Sequence, residues 1–574
     1  MKIYIAKTAG FCMGVRRAVE MILDASNSSE GPISSYGPLI HNPQVLEILR
    51  DRGIKVIEEI PEKGSGTILI RAHGVPPEIH QRLESAGFTV KDATCPRVIK
   101  VQTIIRRHAS LGYAVIIIGD YDHPEVVGLL GYAGDQGHAV NCLEDLDGLP
   151  EFDKAIIVAQ TTQNTHFFNQ VRKWAEQFHP HYQIFNTICD STEKRQAEVK
   201  KLAEKVDALI VVGGRNSGNT QRLAEVAKEV GKPVFHIEDE SELDSGIFGS
   251  VQTIGISAGA STPNWIINKV IKKLEHERSR NGETWRRYFS TVQQFLLYTN
   301  LYIALGAGCL TYASTALQDI EKKTSYIFIA FFYVLSMHTF NNLIGRNSDR
   351  FNDPDRAIFY DDYKYLLAAL AFISGGTGLV TASAMGLIPF LILSAMSIMG
   401  LFYNIKLIPD QIQFLKYHRI NEIPGSKTIL IVLAWGIVTS VFPVLSEEGR
   451  ITVASILVLL WTLGMVFVRT VFFDILAMQG DRIAGTKTIP IIMGEKKTRF
   501  LIKRVLQFSF AFLFLGSIAG VITSLGYYLC LPLILMALVI LLHEYRKSFL
   551  GFRPVFWVEA NFLLAGLITA FWTG

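Results

Sequence analysis

The chain has 574 residues, of which 49% are hydrophobic and 19% charged, with a formal net charge of +4 and six cysteines. That length accommodates more than one domain, a charge so near balance gives no argument for a nucleic-acid partner, and cysteines this sparse imply no disulfide framework. Up to about residue 285 short apolar runs, charged helical stretches and Gly/Pro turns alternate, whereas long apolar runs dominate beyond it.

The opening "MKIYIAKTAG" lacks the unbroken apolar stretch of a secretory signal, so the first half is expected in a reducing cytoplasm, where thiolates serve as metal ligands. Strand-like runs follow in chain order: "TILIRAHGV", "YAVIIIGD", "KAIIVAQTT", "ALIVVGGRNSG" and "QTIGISAGAS", separated by helical stretches such as "STEKRQAEVKKLAEKV". Strands alternating with helices predict open, mostly parallel α/β units, whose ligands bind beyond the carboxyl ends of the strands.

Cys12, Cys95 and Cys189 stand in short polar turns, "GFCMG", "DATCPRV" and "TICDST", at near-even intervals of 83 and 94 residues. That spacing suggests three similar α/β units, each offering one thiolate to a common centre. Three soft ligands without a fourth suit an iron–sulfur cluster with one open iron, and a zinc ion with three Cys and a water is the rival reading. Cys142, in "AVNCLED", lacks the turn context and is read as packing. Around the thiols stand His41, His73, His123, Ser217, Asn219 and Ser261, in Gly- and Pro-bearing turns after strands. Imidazoles, hydroxyls and amides converging at strand ends donate hydrogen bonds to a phosphate or diphosphate. Glu125, the one carboxylate among them, is placed to supply a proton if burial lifts its pKa, and Thr161 stands in "AQTTQ".

The stretches "GFCMGV", "GPLIHNPQ", "RAHGV", "DATCP", "HPEV", "QTTQ", "NSGNT" and "AGAST" resemble, in order, those of the 4-hydroxy-3-methylbut-2-enyl diphosphate reductase (IspH, LytB) family, over about residues 1–275. The resemblance implies three α/β units around a [4Fe–4S] cluster held by Cys12, Cys95 and Cys189. It implies a diphosphate clamp of His41, His73, His123, Ser217, Asn219 and Ser261, and a proton relay of Glu125 and Thr161. It further implies reductive removal of the substrate's allylic hydroxyl, giving isopentenyl or dimethylallyl diphosphate, with ferredoxin or flavodoxin supplying the electrons. "NSGNT" departs by one residue, since Gly218 stands where Ser is common.

From about residue 288 nine apolar segments long enough to cross a bilayer are expected, roughly 20 residues being needed as helix. The basic loops "RSRNGETWRR", "GRNSDRFNDPDR", "KLIPDQIQFLKYHR", "GDRIAGTKT…EKKTR" and "EYRKSFLGFR" alternate with connections that hold only Lys322, Lys323 and Arg450. This places the basic loops and the first half on the cytoplasmic side of the inner membrane, and the C-terminus on the other. Two of these loops, "FNNLIGRNSDRFNDPDR" and "FFDILAMQGDRIAGTKTIP", set Asp and Asn at helical spacing where helices leave the membrane. Asp474 and Asp481 lie seven apart, hence on one helix face, and such carboxylates hold Mg²⁺ that bridges to substrate phosphates.

Residues 290–574 resemble the UbiA-type prenyltransferases, membrane enzymes that join an isoprenyl diphosphate to an acceptor. Asp474, Gly480, Asp481, Gly485, Thr488 and Pro490 match one family motif, with Ala477 where another Asp is frequent. Asn341, Asp349, Asn352 and Arg356 fit the other, with Asn342 and Gly345 where many members carry Asp. The resemblance implies a Mg²⁺–prenyl diphosphate site of Asn341, Asp349, Asp474 and Asp481. The expected organisation is therefore an α/β reductase at 1–277, a basic linker at 278–289 and an all-α membrane domain at 290–574. Three readings of the fusion are open: two enzymes on one chain, a reductase whose second half is an anchor or lipid-binding module, and a membrane redox protein serving a quinone. The third would need haem or quinone ligands, and His338 is the only histidine well inside an apolar span.

Overall fold

The computed structural model describes residues 2–28, 31–243, 251–280, 284–403, 423–544 and 554–573. It divides into two compact units, Met1–Asn281 and Gly282–Gly574.

The first unit contains twelve strands: β1 Lys2–Ile5, β2 Ile33–Tyr36, β3 Lys55–Ile57, β4 Thr67–Ile70, β5 Thr89–Asp92, β6 Ala114–Ile118, β7 Gly137–Val140, β8 Ala155–Ala159, β9 Gln183–Ile184, β10 Ala208–Val212, β11 Val234–Ile237 and β12 Thr253–Ala258. They form three four-stranded sheets, ordered β1-β12-β10-β11, β3-β2-β4-β5 and β7-β6-β8-β9. Every pairing is parallel. The central strands "AVIII", "AIIVA" and "ALIVV" are apolar along their whole length because helices cover both faces, and all their residues are buried.

The chain leaves the first sheet after β1, builds the second with β2–β5 and the third with β6–β9, then returns to pair β12 beside β1. Each crossing between sheets carries one of the three cysteines. Cys12 precedes the helix Met13–Ser28, Cys95 caps Pro96–Ser110 and Cys189 caps Asp190–Ala203. The near-even cysteine spacing is thus the length of one α/β unit.

The second unit is helical. Among the described residues seven helices are long and apolar enough to cross a membrane, from Thr324–Ile344 to Pro554–Thr573. An eighth arises if Thr291–Tyr298 and Leu301–Leu317, bent by 70°, count as one span. The bend falls at Asn300, whose φ of 60° is left-handed, a conformation Asn tolerates better than most residues. Leu387–Phe402 is apolar but has 16 residues, about 24 Å of helix against a hydrocarbon core of about 30 Å. The nine expected spans therefore correspond to seven full helices, one bent pair and one short helix. The loop "KLIPDQIQFLKYHR" and nearly all of "EYRKSFLGFR" lie outside the described residues.

Trp435, Trp461, Phe442, Phe472 and Phe562 fill the middle of this bundle, while Phe372, Val380, Leu387 and Phe571 stand exposed on its outside. Apolar side chains facing outward are what a lipid solvent allows. Within residues 278–289, expected as a linker, the described residues belong to the helices Asn264–Arg280 and Thr284–Tyr298.

Candidate functional site

The three cysteines are held in the same way. The amide of Cys12 donates to the carbonyl of Ala260 (3.1 Å), that of Cys95 to Ala72 (2.9 Å) and that of Cys189 to Thr161 (2.9 Å). Each acceptor stands two residues past the end of a strand, β12, β4 and β8 respectively, so the three units repeat one another around the thiols. Each sulfur also sits at a helix N-terminus, where the free N–H groups favour a thiolate, and the Val15 amide donates to Cys12 Sγ at 3.4 Å. Burial raises the Cys95 thiol above its ordinary pKa, against the amides of Arg97 and Val98, and the neighbouring Cys12 and Cys189 push it the same way as burial. Gly14 packs on Cys95, since a Cβ there would lie 2.6 Å from its Sγ.

The spacing of these sulfurs bears on the two metal readings. A zinc ion with Zn–S bonds of about 2.3 Å brings thiolates to within about 3.8 Å of each other. Among the described residues the one set of three or more His, Cys, Asp or Glu ligand atoms lying within 4.8 Å of one another is His41, His73 and His123. The three cysteine sulfurs therefore do not all lie within 4.8 Å of one another.

The three imidazoles form one wall of the pocket, with ring centroids 5.0 Å apart for His41–His73, 5.3 Å for His73–His123 and 6.1 Å for His41–His123. His123 caps the helix Pro124–Ala133, its Nδ1 accepting from the Glu125 amide at 3.1 Å, which leaves Nε2 as donor. His41 Nε2, His73 Nδ1 and Asn219 Nδ2 are buried without a partner. Burial is the main reason that the His41 and His73 pKa values fall, His73 well below its ordinary value, and that His123 falls to about 4. The positive charge of Arg71 adds to the depression at all three, and that of Arg222 at His123. Buried donors without partners, beside two guanidinium groups, make a pocket for an anion.

The remaining donors join this wall. Ser261 Oγ donates to the His41 carbonyl (3.1 Å) and to Ser217 Oγ (3.3 Å). Arg222 pairs with Asp120 (2.5 Å) and reaches the Thr162 carbonyl (3.3 Å). A Cβ on Gly218 would meet Arg222 Nη1 at 3.6 Å and His123 at 3.7 Å, ordinary contact distances, so this position faces the same pocket.

Glu125 is 1% exposed. Its Oε1 accepts from the Thr161 amide (2.6 Å) and its Oε2 from Thr161 Oγ1 (2.9 Å). Burial pushes its pKa up to about 7, against the pull of these two hydrogen bonds and of Arg222. Because the Thr161 carbonyl holds the Cys189 amide, one residue connects Glu125 to Cys189. The structure thus brings His41, His73 and His123 together, sets Ser217 and Ser261 beside His41, and joins Glu125 through Thr161 to Cys189, while Asn219 is buried with its Nδ2 unpartnered. Sequence reading missed Arg71 and Arg222, which carry no spacing signal, and Arg195, which donates to the Ala258 and Gly10 carbonyls and fixes the loop before Cys12.

In the helical unit Asp474 and Asp481 are both buried, on the helix Val453–Ala484. Thr428 Oγ1 donates to Asp474 (2.9 Å) and Asn352 Nδ2 to Asp481 Oδ1 (3.0 Å), while Asp481 Oδ2 has no partner. Asp349, Asp474 and Asp481 all lie within electrostatic reach of Lys427. Asn341 closes its helix through its carbonyl, which accepts from Gly345. It is Asn342, read from the sequence as a lost carboxylate, that bonds to Asn300 (3.2 Å) and Tyr360 (3.2 Å). Deeper in the bundle Arg469 and Glu559 form a buried ion pair at 2.6 Å, and Trp435 donates to His338 Nε2 at 3.2 Å.

Comparison with known proteins agrees with these geometries. The LytB protein family matches residues 3–275 and the UbiA prenyltransferase family residues 300–565. The 4-hydroxy-3-methylbut-2-enyl diphosphate reductase of Geobacter sulfurreducens is 44% identical over 283 residues, which are 49% of this chain and all of that protein. The Aquifex aeolicus reductase is 42% identical over 48% of this chain and 96% of its own length. A solved structure of (E)-4-hydroxy-3-methyl-but-2-enyl diphosphate reductase, terminal enzyme of the non-mevalonate pathway, is 41% identical and covers 48% of this chain and all of its own, with a TM-score of 0.39. The chain therefore belongs, through its first half, to the 4-hydroxy-3-methylbut-2-enyl diphosphate reductase (LytB) family, joined in one multi-pass membrane protein to a UbiA prenyltransferase family domain.

Proposed function

We propose that residues 1–277 catalyse the reductive dehydroxylation of 4-hydroxy-3-methylbut-2-enyl diphosphate to isopentenyl and dimethylallyl diphosphate. The observation that carries this reading is the bridge Glu125–Thr161–Cys189 beside an anion pocket of three neutral histidines. His41, His73, His123, Ser217, Asn219 and Ser261 hold the diphosphate, with Arg71 and Arg222 supplying positive potential. Cys12, Cys95 and Cys189 would hold a [4Fe–4S] cluster, which when bound would pass electrons one at a time to the substrate and offer Lewis-acidic iron. Glu125, protonated near neutral pH, gives its proton to the allylic oxygen, which departs as water. Thr161 keeps the carboxyl turned toward that oxygen and relays the replacement proton. With two electrons and two protons taken up, the substrate loses one water and keeps its diphosphate. A ferredoxin or flavodoxin supplies the electrons.

The test is Glu125→Gln in the full-length protein. The expected result is an unchanged cluster absorption spectrum and turnover reduced by about 10²-fold or more, the ordinary contribution of a positioned acid. An active variant would remove Glu125 from the mechanism.

The second half is read as a membrane prenyltransferase site, because Thr428 and Asn352 orient two buried carboxylates while Asp481 Oδ2 stays unpartnered. Hard oxygen donors in this arrangement fit Mg²⁺. Asp474 and Asp481, with Asp349, would hold it against an isoprenyl diphosphate. Asn341, whose described hydrogen bond is made by its backbone carbonyl, stands with them in this reading. The basic loops support a cytoplasmic position, at the inner membrane, for this site and for the reductase.

A further inference from the structure

We propose that Arg17, Arg97 and Arg195 are positioning residues for the cysteine centre. Each lies on the helix headed by one cysteine and grips the turn of the next, closing a cycle from Cys12 to Cys95, to Cys189 and back to Cys12. The inference rests on reading the three cysteines as ligands of one cluster.

Three sets of contacts carry it. Arg17, on the helix Met13–Ser28 that follows Cys12, donates from Nη1 to the carbonyl of Thr94 (2.9 Å) and from Nη2 to that of Asp92 (3.4 Å), just before Cys95. The same helix meets Cys95 at Gly14, where a Cβ would lie 2.6 Å from Sγ. Arg97, in the first turn of the helix capped by Cys95, pairs with Asp190, the residue after Cys189. Arg195, on the helix capped by Cys189, donates to the carbonyls of Ala258 (2.9 Å) and Gly10 (2.5 Å). Gly10 stands two residues before Cys12 and Ala258 two before Ala260, whose carbonyl holds the Cys12 amide. Arg195 thus straddles the bond that seats Cys12. On the same helix Glu198 accepts from the amides of Lys7 (2.7 Å) and Thr8 (2.8 Å), which ties down the rest of that loop.

The cycle answers a problem of construction. Three loops from three separate sheets present the thiols, and pairing within one sheet does not set its distance from the next. A guanidinium suits that task, because it stays charged and its planar fork reaches two carbonyls at once, where an ammonium is a point charge. Hydrogen bonds from a charged donor are also stronger than neutral ones, and groups behind the ligands commonly fix the geometry of a metal centre. Arg195 is 3% exposed, so its grip is sheltered from water, whereas Arg97–Asp190 is an exposed pair and the weakest link. The arginines stand five, two and six residues past their cysteines, so the cycle exists only in the folded chain.

The test is cysteine alkylation in the full-length protein, solubilised in detergent, purified without oxygen and treated with an iron chelator. A pulse of iodoacetamide is followed by mass spectrometry of each cysteine peptide, with the exposed Cys142 as internal standard. Labelling should rise about tenfold at Cys95 in Arg17→Met and at Cys12 in Arg195→Met, the weight of one hydrogen bond from a charged donor. Arg97→Met should raise Cys189 labelling by a smaller factor, its pair being exposed. In each variant the other two cysteines should label as in the native protein. An equal rise at all three would reduce the arginines to general structural support, and no rise would remove them from the centre; either result overturns the inference. Arg17→Met, at a half-buried residue, decides the matter if Arg195→Met does not fold. Iron released to the chelator is counted in the same samples. Native protein that releases none would overturn the cluster reading, whereas the order of alkylation is read without metal.

Discussion

Glu125 shows how much one residue's surroundings decide. Burial raises its pKa to about 7 and the two hydrogen bonds from Thr161 oppose the rise. A group whose pKa is raised is protonated below that value and loses its proton above it, so turnover should fall as pH climbs through about 7. Thr161→Val removes one bond that favours the ionised form, and the alkaline limb of the rate profile should move to higher pH. An unmoved limb would show that another group sets it. Gly218 is the complementary case. Its backbone φ is not left-handed and a Cβ there would make only ordinary contacts of 3.6–3.8 Å, with Arg222, His123 and Asp120, so Gly218→Ser should fold without strain and add a donor to the pocket. Pyrophosphate binding to the first unit should tighten by about fivefold, near 1 kcal/mol for one hydrogen bond, as measured by calorimetry. The cysteines, histidines and Glu125 were legible in the sequence because each stands in a short turn with a distinctive neighbourhood. Arg71 and Arg222 were not, since an isolated arginine looks the same on a solvated face as beneath a pocket.

At the scale of elements, alternating apolar runs and helices announced parallel α/β units, and the cysteine interval announced their number. The identity of the three cysteine loops was hidden, because it resides in backbone bonds to carbonyls two residues past strand ends rather than in side chains. The helical unit shows the converse. Hydropathy found its apolar segments but could not see that one bends by 70° at Asn300 or that another has 16 residues. Nor does hydropathy reveal that Arg469 on Val453–Ala484 meets Glu559 on Pro554–Thr573 inside the bundle. Removing one partner of a buried pair leaves an uncompensated charge, so Arg469→Met should cost about 3–5 kcal/mol. The double variant Arg469→Met/Glu559→Gln should recover much of that loss. Thermal unfolding in detergent reads both, and equal destabilisation of single and double variants would show that the pair is not coupled. His338, the histidine considered as a haem or quinone ligand, accepts from the Trp435 indole, which gives it a structural partner in the bundle.

At the scale of the whole molecule, two compact units each carry their own polar site. Each site is built from residues of its own unit, so the two proposed activities should separate by mutation. Asp474→Asn/Asp481→Asn should abolish prenyl transfer while leaving reduction of the five-carbon substrate unchanged. Loss of both would mean that the units do not work independently. The most direct test of the central claim uses the full-length protein, solubilised in detergent and purified without oxygen. It is incubated with a chemical reductant, Mg²⁺ and labelled 4-hydroxy-3-methylbut-2-enyl diphosphate, and the five-carbon products are measured. The account predicts labelled isopentenyl and dimethylallyl diphosphate, formed by the native protein and largely lost in Glu125→Gln. An intact cluster that turns over no substrate would contradict it.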